Sequence, residues 1–138
     1  MTPVQVKRLE YAVAVDRAGS ISAEDGALLA LGEEWTPEHL VLAGLARCSL
    51  ASLAYYAQRA SLEVSAAASA SGAVTRRDED GRFAFVELSC RIEAELDPAP
   101  APEALAELIA KAERGCFVGA SLRVTPSYSW RVNGEDTP

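Results

Sequence analysis

Histidine is almost missing from this chain: His39 is the only one in 138 residues. A single imidazole with no Cys or His at metal-ligand spacing builds neither a zinc centre nor a hydrolase triad, so His39 reads as a surface residue. Basic side chains are also scarce, with thirteen Lys and Arg against twenty Asp and Glu and a net charge of −7. Binding to nucleic acid depends on neutralising phosphates, so this balance argues against such a partner. There is no Gly-rich phosphate loop and no Gly-x-Ser-x-Gly elbow. The opening residues Met1 to Arg8 lack the apolar core of a signal peptide. The longest apolar stretch, about Thr36 to Gln58, is interrupted by Glu38, His39 and Arg47, so it reads as a core helix rather than a membrane span. The expectation is a soluble cytoplasmic protein with no membrane partner. Cysteine is limited to three residues, an odd number and too few for a disulfide scaffold. In a reducing compartment, a bridge between such thiols is transient and catalytic more often than structural.

What the chain does have is 49% apolar residues, enough to close one core, more securely with a partner to bury further surface. We read a single domain over residues 1–132 and a frayed tail over 133–138. Val4 to Val15 alternates loosely, Asp16 to Ser20 carries turn chemistry, and Ile21 to Leu31 returns as a hairpin partner or as loop and strand. Thr36-Pro37 supplies a cap and a first-turn proline for a helix that is apolar on nearly every face. Such a helix must be covered all round, and the remaining elements are too few to do so. An intertwined dimer is the economical solution.

Two strands follow, Leu62 to Arg76 and Arg82 to Leu96, around an Asp80-Gly81 hairpin signal. In the second, Ala84, Val86, Leu88, Cys90, Ile92, Ala94 and Leu96 share one face. Pro102 opens a second helix with Leu105, Leu108, Ile109 and Ala112 at core spacing, and Gly115 stands where its C-terminal cap belongs. A last strand runs from about Leu122 to Val132. Helices packed on antiparallel sheets make this an α+β fold.

Two of the three cysteines stand out by position. Cys48 lies inside the apolar helix and Cys116 directly follows the second helix. Cys90, alternating with Val86, Leu88 and Ile92, reads as packing. The segment Thr36-Pro37-Glu38-His39-Leu40-Val41-Leu42-Ala43-Gly44-Leu45-Ala46-Arg47-Cys48 resembles the central-helix motif of the OsmC/Ohr family, the osmotically inducible and organic hydroperoxide resistance proteins. In that motif Pro-Glu opens the helix and Cys follows ten residues later. Ala112-Glu113-Arg114-Gly115-Cys116 is similar to the segment carrying that family's second cysteine, and the resemblance spans about residues 8–132.

The resemblance implies an OsmC-like intertwined homodimer and a thiol peroxidase for organic hydroperoxides in oxidative-stress defence. It implies that Cys48 is the peroxidatic residue and Cys116 the resolving one, linked as a disulfide that a dithiol reductant, lipoyl-type in the family, reduces. It also implies that Arg17, in the N-terminal hairpin turn, and Glu38 flank the reactive thiolate. No metal or cofactor is called for. After Cys116 the family pattern continues with Pro and then Ser-Asn, whereas this chain reads Phe117-Val118-Gly119-Ala120-Ser121, which leaves the OsmC or Ohr branch open. Of the aromatic residues, Phe117 is the candidate to touch substrate, being next to Cys116.

The chemistry sets its own demand. Cys48 lies eleven residues beyond Pro37, where the helix N-terminal field has faded. Ionising it requires another source of positive charge. A guanidinium at roughly 4 Å and an effective dielectric near 20 supplies about 4 kcal/mol, or about three pKa units before desolvation subtracts its share. In that arrangement Glu38 orients the arginine, with Arg47 as the reserve candidate. Two other readings use the same residues: a non-catalytic dimeric module that binds an apolar small molecule, and a redox sensor whose disulfide changes shape without turnover.

Overall fold

A computed structural model describes residues 8–137. The chain forms two compact units, Met1–Thr36 and Pro37–Pro138. The first contains a three-stranded antiparallel meander, β1 (Val13–Val15), β2 (Ile21–Ala23) and β3 (Leu28–Leu29). Its first turn is closed by Asp16, whose carboxylate accepts from the amides of Ala18 at 3.0 Å and Ser20 at 2.9 Å. Gly19 takes the left-handed conformation (φ +88°) that the turn requires. Val4 to Lys7, expected to begin the first strand, lie outside the described residues.

The second unit is built on α1 (Pro37–Arg59). Pro37 occupies the first helical position, where its missing N–H costs nothing, and Glu38 and Arg59 complement the dipole at either end. The helix stops in a Schellman arrangement without glycine. The Leu62 amide bonds to the Ala57 carbonyl at 2.9 Å, the Ser61 amide to Gln58 at 3.0 Å, and Ser61 adopts φ +60°. Although α1 is apolar on most sides, a single stripe is buried: Leu45, Ser49, Ser52, Leu53 and Ala57. These are spaced to share one face. The helix is long and apolar enough by composition to cross a bilayer, but this stripe packs on a sheet and carries two buried hydroxyls.

That sheet has the order β4-β5-β6-β7, with β4 (Glu63–Arg76), β5 (Phe83–Asp97), β6 (Ser127–Val132) and β7 (Glu135–Asp136). Across β4 and β5 the pairs Val64–Leu96, Ala66–Ala94, Ala68–Ile92 and Ala70–Cys90 line up on the core face. The alanines of β4 let the helix approach closely, while β5 supplies the bulk. Ile92 is fully buried.

The register slips between Ala73 and Val74, where Glu87 and Phe85 are the successive partners and Val86 is left between them. This bulge ends the single-face alternation expected to include Val86. Helix α2 (Pro102–Arg114) buries Leu108 and Ala112.

Three expectations are corrected here. The last strand does not begin near Leu122: before it stands a short helix, α3 (Phe117–Ser121), closed by Ala120 N to Cys116 O at 3.0 Å and Ser121 Oγ to Phe117 O at 2.7 Å. β6 starts only at Ser127, directly after Pro126, which has no N–H for a ladder. The sheet is also not wholly antiparallel, because β5 and β6 run parallel, the crossover between them carrying α2. Finally, the segment read as a frayed tail returns as β7 through Asn133 (φ +51°) and Gly134 (φ +81°), the residue pair that a two-residue hairpin favours. Asn133 also anchors this turn to β5: its Oδ1 accepts from Leu96 N at 2.9 Å and its Nδ2 donates to Leu96 O at 3.3 Å.

Candidate active site

Cys48 and Cys116 meet where α1, the end of α2 and α3 converge, and both are free thiols. Cys48 is half-buried and Cys116 fully buried. The Cys116 thiol is close enough to Cys48 to act on its ionisation both as a hydrogen-bonding group and as a charge.

The position of Cys116 is fixed by helix packing. Ser52 on α1 donates to the Ala112 carbonyl at 2.7 Å, pinning the last turn of α2. Gly115 is the C-terminal cap of α2, as expected, with φ −83°, a conformation open to any residue. The need is space: a Cβ there would lie 2.8 Å from Tyr56 Cε2 and 2.9 Å from Ser52 Oγ. The close approach brings Cys116 onto α1.

Cys116 caps α3, its sulfur accepting from Gly119 N at 3.4 Å. The same turn serves Cys48, whose sulfur accepts from Val118 N at 3.5 Å, with the Phe117 amide also acting on it. Phe117, standing where the family pattern has proline, thus supplies an amide that proline lacks, beside the Val118 amide. Burial pushes the Cys48 thiol above its ordinary range, these amides pull it down, and Cys116 raises it again. The net effect is upward.

Sequence reasoning missed two hydroxyls at this site. Ser49 Oγ lies 3.7 Å from Cys116 Sγ and 2.9 Å from the Leu45 carbonyl, to which it donates. Cys90, read as packing, is buried, and its thiol donates to Ser49 Oγ at 3.5 Å. Beside Cys90 in the β5–β6 register stands Tyr128, whose phenol is held well above its usual range by burial and by the adjacent Cys116. Gly119 leaves room for that phenol, since a Cβ there would come 2.6 Å from the Tyr128 hydroxyl. The available signals were weak: Ser49 adjoins Cys48, and Tyr128 stands two residues after Pro126 at the start of β6.

The remaining candidates are placed as follows. Phe117 is 62% exposed beside the thiols, and its backbone amide, not only its ring, belongs to the site. Glu38 is exposed in the first turn of α1, on the same unit as Cys48. Arg17 is exposed in the β1–β2 turn of the other unit. Arg47 is exposed on α1. Among the described residues no group of His, Cys, Asp and Glu is arranged to hold a metal ion.

No curated protein matches the chain. Solved structures do. The organic hydroperoxide resistance protein OhrB of Bacillus subtilis superposes with a TM-score of 0.57 at 19% identity, covering 90% of this chain and 96% of its own. An organic hydroperoxide resistance protein OsmC from Legionella pneumophila gives 0.57 at 24%, covering 94% and 98%. An OsmC-like protein of unknown function from Vibrio cholerae gives 0.70 at 14%, covering 89% and 99%. These likenesses establish the fold. A family model described as OsmC-like protein matches residues 30–131, which holds α1, both redox-candidate cysteines, β4, β5 and all but the last residue of β6. The chain belongs to the OsmC-like family.

Proposed function

We propose that the protein is a thiol peroxidase that reduces organic hydroperoxides in oxidative-stress defence, with Cys48 peroxidatic and Cys116 resolving. The observation that carries this reading is the convergence of two thiols on one short helix, whose Val118 amide donates to Cys48 Sγ at 3.5 Å and whose Gly119 amide donates to Cys116 Sγ at 3.4 Å, one thiol part-exposed and the other buried. The Cys48 thiolate attacks the O–O bond and becomes a sulfenic acid, while the alkoxide takes a proton and leaves as alcohol. The Cys116 thiol then attacks the sulfenic sulfur, forming the Cys48–Cys116 disulfide and releasing water. An external dithiol returns both thiols. Organic hydroperoxide resistance neighbours support the substrate class.

Because burial raises Cys48 within its own unit, turnover at neutral pH requires a cation from elsewhere. We assign that role to Arg17, oriented by Glu38, in a homodimer that covers the exposed sides of α1. Phe117 provides apolar surface for the hydroperoxide's organic group. A cytoplasmic location fits the need for a dithiol reductant.

The test is one equivalent of cumene hydroperoxide, followed by mass mapping of all three thiols, with hydrogen peroxide in parallel. The expected product is a Cys48–Cys116 disulfide, formed faster with the organic peroxide. In Cys116→Ser the oxidised Cys48 persists as a sulfenic or sulfinic acid. Three thiols that survive excess cumene hydroperoxide would refute the assignment. Oxidation without steady-state consumption in the presence of a dithiol would instead identify a sensor.

A further inference from the structure

The peroxidase reading accounts for Cys48 and Cys116 but leaves a polar cluster unused: Ser49, Cys90 and Tyr128, with Ser49 against the Cys116 sulfur and the Tyr128 hydroxyl reaching the same Gly119 that adjoins it. We propose that this cluster makes Cys116 the leaving group of the disulfide, so that a reducing dithiol attacks the Cys48 sulfur and Cys116 departs as a thiolate received by the hydroxyls of Ser49 and Tyr128. The inference rests on the disulfide of the preceding reading and specifies how that bond is opened.

Access sets the point of attack. Cys116 is completely buried, whereas Cys48 is reachable from solvent, so an incoming thiolate meets Cys48 first. Thiol–disulfide exchange then depends on how well the displaced sulfur carries negative charge. Cys48 has the Val118 and Phe117 amides for this purpose, and burial opposes charge on both sulfurs, most at the fully buried Cys116, so the donors around each sulfur decide. Cys116 has the Gly119 amide at 3.4 Å, the Ser49 hydroxyl at 3.7 Å and the Tyr128 phenol.

Ser49 is suited to respond as charge develops. Its oxygen already accepts from the Cys90 thiol, so its own proton is the part free to turn. In the thiol state that proton lies on the Leu45 carbonyl at 2.9 Å. A hydrogen bond to a charged sulfur is stronger than one to a neutral carbonyl, so ionisation of Cys116 swings the hydroxyl across. Cys90 thereby acts as a positioning residue. Tyr128, held protonated by its surroundings, is a donor throughout.

The electron count closes. One thiolate of the dithiol bonds to Cys48 Sγ, the S–S bond breaks, and its electron pair leaves on Cys116. The Cys116 thiolate takes the proton of the reductant's second thiol, which attacks the mixed disulfide and expels Cys48 as thiolate. The dithiol ends as its cyclic disulfide, and the protein has gained two electrons.

The experiment uses the full-length protein with its disulfide formed by cumene hydroperoxide and, separately, by diamide. Brief exposure to 2-mercaptoethanol, acid quenching, alkylation and mass mapping locate the mixed disulfide. The expected adduct is on Cys48, with Cys116 free; an adduct on Cys116 overturns the proposal. Reduction by dithiothreitol is expected to slow roughly threefold to tenfold in Ser49→Ala and in Tyr128→Phe, each having lost one hydrogen bond to a charged sulfur. Ser49→Thr, which retains the hydroxyl, recovers most of the rate, and Cys90→Ser reduces faster than Cys90→Ala. Unchanged rates in both Ser49→Ala and Tyr128→Phe also overturn it, and should those variants not fold, the adduct map on the native protein decides alone. A disulfide formed by diamide but not by hydroperoxide refutes the peroxidase reading while this test proceeds. If neither oxidant links Cys48 to Cys116, the proposal falls.

Discussion

Replacing Gly115 by alanine sets two effects of opposite sign against each other, and the structure decides between them. Gly115 has φ −83° and ψ 1°, a conformation alanine adopts without strain, so entropy alone favours Gly115→Ala by about 0.4–1 kcal/mol. Against this, the added methyl would sit 2.8 Å from Tyr56 Cε2, 2.9 Å from Ser52 Oγ and 3.1 Å from the Lys111 carbonyl. None of these neighbours gives way readily: Ser52 is buried and bonded to Ala112 O at 2.7 Å, the carbonyl belongs to helix backbone, and Tyr56 packs edge-on against Tyr55. Overpacking of this kind costs about 1–3 kcal/mol, and losing the Ser52 bond adds about 0.5–1.5 kcal/mol. The net expectation is a loss of about 2 kcal/mol, which for a chain of this size lowers Tm by roughly 6–10 °C. The displaced turn carries Cys116, so peroxide-driven disulfide formation slows as well. Thermal unfolding followed by circular dichroism, with a time course of thiol loss after one equivalent of cumene hydroperoxide, measures both. A variant as stable as the native protein or more so would show that α1 and α2 are not packed as tightly here as the argument requires.

On the role proposed for Arg17, Arg17→Gln is expected to move the pH midpoint of Cys48 alkylation upward by about one unit or more and to reduce the peroxide rate at neutral pH at least tenfold, since only the α3 amides then oppose the burial that raises Cys48; iodoacetamide kinetics against pH read the first effect. Asn133→Ala removes both side-chain bonds to Leu96 from a turn at φ +51° and is expected to destabilise the protein by about 1–3 kcal/mol, measured by urea unfolding. Asp80 is held down to about 2 by the Arg77 guanidinium and the Arg82 amide. Its folded-state pKa lies below the unfolded value, so the Arg77–Asp80 contribution is complete above the ordinary Asp range and disappears as pH falls toward 2. NMR titration of the Asp80 carboxyl should find that low midpoint, returning toward the ordinary value in Arg77→Ala.

Much of this molecule is legible in one dimension because its signals are local. Thr36-Pro37 and the long, mostly apolar run locate α1, the alternation from Leu88 to Leu96 locates β5, and Pro102 with Leu105, Leu108 and Ala112 locates α2. The spacing of Cys48 and Cys116 marked both sulfurs and, through the neighbouring motifs, the family. Strand direction left no such trace, because period-two alternation reads the same for parallel and antiparallel partners, and β5–β6 turned out parallel. The Asn133-Gly134 turn carried a usable signal that was read as an end rather than a reversal.

The cysteines show where each level of information stops. Composition and spacing determined that this chain has an apolar central helix with a thiol on it and a second thiol after the covering helix, since both facts are properties of sequence order. Only the tertiary structure decided that Cys116 is sealed from solvent while Cys48 is not, that α3 turns its amides onto Cys48, and that Cys90 reaches Cys116 through Ser49. The physical reason is that ionisation and leaving-group character depend on the groups within a few ångströms of a sulfur, and residues 48, 49, 90, 116 and 128 become neighbours only when α1, β5, β6 and the end of α2 pack together.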